Sequence, residues 1–146
     1  MKKSIMGATA LSLLAITSCQ NIKDQKNDPQ VLSAKAIEIH DLIMPQISTF
    51  DKHTVFVDSL LGSLSVLKKA NPSLDTNATR QELTTLKSDL ESATDDMMTW
   101  MKEYTPDSTN ADYQKAEVDR ITQLQSKFEK VSKDADRVLT PYTTKP

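Results

Sequence analysis

The stretch LTTLKSDLESATDDMMTWMKEY, residues 83–104, places Leu83, Leu86, Leu90, Ala93, Met97, Trp100 and Tyr104 at alternating intervals of three and four. At 3.6 residues per turn, that spacing gathers all seven side chains on one stripe of an α-helix and leaves the charged residues between them for solvent. The same rhythm recurs in Ile121, Leu124, Phe128, Val131, Ala135, Val138 and Tyr142. A third, earlier segment carries Ala36, His40, Ile43, Ile47, Phe50, Val57, Leu61 and Leu64, with Thr54 in the gap. Near-heptad stripes of this kind favour helices packed almost in line with one another.

Local chemistry bounds the three segments. Asn71-Pro72 stops the first, and Asp75, Thr76 and Asn77 offer N-caps for the second. Thr105-Pro106 ends the second, and Thr109-Asn110-Ala111-Asp112 has the form of a capping box that opens the third. Short connections between helices of this length make antiparallel neighbours. Pro45 lies inside the first segment, where it removes a backbone donor and is expected to kink or break the helix near Asp41–Met44. The fold expected is therefore all-α. It is an up-down-up antiparallel three-helix bundle over residues 31–146 with a long first helix bent at Pro45, or four helices if the bend is a full break.

Ahead of the bundle the character of the chain changes. Lys2 and Lys3 precede an apolar run from Ile5 to Ile16, interrupted only by Gly7, Thr9 and Ser12, and small residues precede Cys19, the single cysteine. A basic start, a short apolar middle and a small-residue cleavage site define an export signal, here residues 1–18. About a dozen apolar residues cannot span a hydrocarbon layer of roughly 30 Å as a helix. Ile16-Thr17-Ser18-Cys19 resembles the lipobox of bacterial lipoproteins. That resemblance implies that Cys19 becomes the mature N-terminus and carries a diacyl or triacyl modification. Two or more acyl chains hold a protein stably on a membrane where one does not. Gln20 follows the cysteine in place of the aspartate that resembles an inner-membrane retention signal, so the address expected is the outer membrane. Residues 19–30, polar and ending at Pro29-Gln30, read as a lipidated tether.

Composition limits what the mature chain does. Without residues 1–18 it has 16 basic and 20 acidic residues, a formal net charge of about −4, and one glycine, Gly62. No basic run or stripe is present, which argues against nucleic acid as a partner. No phosphate-cradling loop can be built from one glycine, and no Gly-x-Ser-x-Gly string offers a nucleophile. His40 and His53, thirteen residues apart, are too few for a structural zinc site. No enzyme is expected. The partners expected are the membrane, through the lipid, and another envelope protein.

Two strings stand out: Ile39-His40-Asp41-Leu42-Ile43-Met44-Pro45 and Met97-Met98-Thr99-Trp100-Met101. Together they resemble paired signatures in small helical lipoproteins of the Bacteroidota, often labelled "viral A-type inclusion protein". The resemblance implies a helical lipoprotein and carries no activity. A hairpin turning near Ser73–Leu74 would bring the strings level, with Trp100 facing Ile47 and Met101 near Gln46. One reading is ordinary packing, methionine being a flexible core filler and His40 a residue at the core edge, bonded to a carbonyl freed by Pro45. The other is a soft-metal site: thioethers of Met44, Met98 and Met101 with the imidazole of His40 suit Cu(I) or Ag(I), and the Trp100 ring can lie over the cation. A haem between His40 and a methionine is a weaker third reading, since a core filled with Leu and Phe leaves no room for a porphyrin. Asp107-Ser108-Thr109 resembles an O-glycosylation signal of exported Bacteroidota proteins, with Ser108 as acceptor in an exposed loop.

Overall fold

The computed structural model describes residues 27–143, and the regular structure among them is entirely α-helical. The expected export signal, Cys19 and the expected tether up to residue 26 lie outside the described residues. The four helices are α1 (Pro29–Gly62), α2 (Leu64–Ala70), α3 (Thr76–Glu103) and α4 (Ala111–Thr143). Among the described residues none of them is long and apolar enough to cross a membrane.

Helix α1 starts two residues earlier than its stripe indicates. Asp28 is its cap, its Oδ1 accepting from the backbone N–H of Gln30 at 2.8 Å, and Pro29 occupies the first turn. Proline is favoured there because its fixed φ suits the helix and its missing N–H would have had no partner. Pro29 and Gln30, expected in the tether, thus belong to the helix. Asp75 caps α3 as expected, accepting from Asn77 and Ala78, each at 3.0 Å. At α4 the cap is Asn110, whose Oδ1 accepts from the Tyr113 N–H at 3.0 Å, one residue after the Thr109 of the expected box.

The break in the first segment is not at Pro45. Helix α1 continues through it, with Pro45 exposed and buried Ile43 and Phe50 on either side. The proline forfeits one hydrogen bond to the Asp41 carbonyl, while these core side chains seat the helix on both sides of it. The chain breaks instead at Gly62–Ser63. The Ser63 Oγ donates to the Ser59 carbonyl at 2.8 Å, and its N–H is shared between the carbonyls of Ser59 and Leu60. Such a side chain competes with the helix for its own carbonyls, and Ser63 leaves helical geometry at φ −107°, ψ 11°. Helix α2 then lays Leu64 into the core and packs against α3.

All three long helices contact one another. Leu83, Leu86, Leu90, Ala93, Met97 and Trp100 of α3 are buried as one row. Helix α4 contributes Ile121, Phe128, Val131, Ala135, Val138 and Leu139. On α1 the buried set is Ala36, Ile39, Ile43, Phe50, Val57 and Leu60, so the stripe is rotated slightly from the one expected. His40, Ile47 and Leu61 sit at its edge. Phe50 and Phe128 stack in the core with centroids 4.9 Å apart and planes 10° from parallel.

Ion pairs lace the outside. Arg137 meets Glu82 at 2.7 Å, Lys127 meets Asp96 at 2.5 Å and Arg120 meets Glu103 at 2.9 Å, all between α3 and α4. Lys87 of α3 meets Asp58 of α1 at 2.7 Å, and the hydrogen bond with Asp58 raises the ammonium above its ordinary value. All are solvent-exposed, so each contributes no more than about 1 kcal/mol.

Candidate functional site

Near the start of α1, the end of α3 and the loop after it, two structures lie side by side: a polar clasp and a shallow groove. Gln114, the fourth residue of α4, organises the clasp with no exposed surface at all. Its Nε2 donates to the carbonyls of Thr105, Pro106 and Ser108, each at 3.1 Å. Three carbonyls around one nitrogen fix which way the amide points, and two protons serve them by sharing. Its Oε1 accepts from the Tyr104 hydroxyl at 2.9 Å. The Ser33 Oγ of α1 lies 3.0 Å from that hydroxyl and donates to Pro106 O at 2.7 Å. Burial pushes the Tyr104 phenol above its ordinary range, against the lowering effect of the Ser33 hydrogen bond. The clasp ties the loop to the first turns of α1. In these first turns Ser33, Ala36 and Ile39 are buried, while the apolar side chains of Val31 and Ile37 are exposed.

The groove has a volume of about 270 Å³ and is lined by Ile37, His40, Asp41, Trp100, Met101, Tyr104 and Pro106. Trp100 is buried and stacks on Tyr104 at 4.4 Å, and the His40 ring lies 5.8 Å from Trp100, tilted by 30°. The Trp100 Nε1 is buried and has no hydrogen-bond partner. His40 Nδ1 is 2.9 Å from Asp41 Oδ1. An ionised carboxylate only accepts, so Nδ1 carries the proton of the neutral ring and Nε2 keeps its lone pair. The expected bond from His40 to a carbonyl freed by Pro45 is replaced by this contact to its neighbour.

The sequence-derived metal set is brought together only in part. His40, Trp100 and Met101 share the groove. Met44, half-buried, packs against the core and Met98 is 52 % exposed; neither lines it. Trp100 lies beside His40, about two turns short of the Ile47 expected opposite it. The break at Gly62–Ser63 and the separate helix α2 interrupt the single continuous hairpin on which that register was reckoned. Among the described residues no three His, Cys, Asp or Glu side chains gather as a metal site. Ser108 is half-buried and its carbonyl is held by Gln114, while Asp107 and Thr109 on either side are exposed. Asp41 and Gln114 escaped sequence reasoning. The first stands next to His40, and the second falls on the α4 stripe when it is extended backward from Ile121 through Glu117.

In comparisons with known proteins, the chain matches no family model, no curated protein and no solved structure.

Proposed function

We propose that this chain is a lipid-anchored envelope protein whose helical bundle serves as a binding or structural module, without enzymatic activity, placed on the outer membrane. The observation that carries the reading is the continuity between anchor and fold: Asp28 caps α1 a short way beyond Cys19. A tether of that length reaches about 16 Å, which would hold the clasp and groove at the membrane-facing end. In this reading α1, α3 and α4 form an up-down-up antiparallel bundle. Its support is the order of the cross-links between α3 and α4, where Glu82, Asp96 and Glu103 meet Arg137, Lys127 and Arg120 in turn. The resemblance to Bacteroidota lipoproteins rests on its residues alone and agrees with the reading. Cys19→Ala, or globomycin treatment, should move the protein out of the membrane fraction and change its gel mobility; unchanged behaviour in both would refute the anchor.

A second reading is buffering of Cu(I) or Ag(I) in the envelope. It is favoured by the common groove of His40, Trp100 and Met101 and by the contact that leaves His40 Nε2 free.

A further inference from the structure

We infer that the soft-cation site is a two-ligand one: His40 Nε2 and Met101 Sδ hold Cu(I) or Ag(I) above the Trp100 ring, with Asp41 as positioning residue. The inference rests on the second reading and narrows its ligand set, leaving Met44 and Met98 out.

Three observations combine. First, His40 and Met101 come from different helices and line the same small groove, and both are reachable from solvent; Met101 is 40 % exposed. An imidazole nitrogen with a thioether sulfur is a donor pair that selects soft monovalent copper or silver over zinc, magnesium or calcium. Second, Asp41 Oδ1 at 2.9 Å from Nδ1 fixes the tautomer and the ring orientation, as carboxylates do behind metal-bound histidines. Third, Trp100 stacks on Tyr104 and lies 5.8 Å from the His40 ring, within the range at which an indole interacts with a cation held by that imidazole. Ile37 and Pro106 add apolar surface to the lining.

The test is anaerobic Cu(I) titration of the full chain carrying Cys19→Ala, so that no thiol competes. Binding is read by competition with a chromophoric Cu(I) chelator and by fluorescence of Trp100, the single tryptophan; silver nitrate provides the Ag(I) arm in air. One equivalent of either metal should bind and quench Trp100. His40→Ala and Met101→Leu should each weaken binding at least tenfold, while Met44→Leu and Met98→Leu leave it unchanged. Asp41→Ala should weaken it about tenfold. Asp41→Asn, whose amide oxygen still accepts from Nδ1–H, should restore it, with both Asp41 variants melting alike. Quenching that survives Met101→Leu but is lost in Met44→Leu or Met98→Leu would overturn this ligand set and keep the broader metal reading. Absence of both quenching and chelator competition in the parent would overturn both.

Discussion

Gln114 shows what a single buried polar side chain does in a fold otherwise held by apolar rows. Its amide donates to the carbonyls of Thr105, Pro106 and Ser108 together, so the α3–α4 loop depends on its donor character rather than its bulk. Gln114→Glu tests the distinction, because the shape is kept and an oxygen replaces the donating nitrogen. At neutral pH the ionised form would face three carbonyls, and the expected loss is on the order of 3 kcal/mol in chemical denaturation. The repelled carboxyl is protonated more readily in the folded state than in the unfolded chain. The variant should therefore be most stable in acid relative to the parent and lose ground as pH rises. A loss independent of pH would mean that packing alone is involved. At this scale the sequence was partly legible. His40, Met101 and Trp100 stand out by type and spacing, and they do share a groove. Asp41 did not, because neighbours on a helix normally diverge and only a side-chain rotamer brings its carboxylate back onto Nδ1. Gln114 did not either, because a hydrophobic stripe is read from apolar residues and stops where polar ones take over the same face.

Among the elements, the helical segments and the cap at Asp75 follow from spacing and end chemistry that are plain in the sequence. The place of the break does not. Pro45 and Gly62–Ser63 are both helix-weakening signals, and local propensity ranks proline far ahead. Tertiary packing reverses the order: α1 is anchored on both sides of Pro45, whereas Ser63 has its own carbonyl partners and α2 gains by turning Leu64 into the core. Because the Pro45 ring is exposed, Pro45→Ala removes little packing and restores an N–H for the Asp41 carbonyl. It should stabilise the protein by about 1–3 kcal/mol, seen as a higher denaturation midpoint at unchanged slope. A decrease would mean that the ring, or a bend it creates, is needed for α1 to seat.

For the molecule as a whole, stability belongs to the shared core more than to the charged exterior. Phe50 and Phe128 are fully buried and stacked on each other across α1 and α4. Phe128→Ala should cost about 3–5 kcal/mol, and a double-mutant cycle with Phe50 should show coupling of about 0.5–1.5 kcal/mol. Lys127→Ala, which removes an exposed pair with Asp96, should cost no more than about 1 kcal/mol. Equal losses in the two single variants would contradict that division. In the proposed function the whole molecule depends on Cys19, which would tie the bundle to an envelope surface. Mass spectrometry of the N-terminal peptide, from protein extracted out of the membrane fraction, examines that tie. A chain beginning at Cys19 and bearing a diacylglyceryl thioether is expected, and a chain still beginning at Met1, with a free thiol and recovered in the soluble fraction, would contradict it.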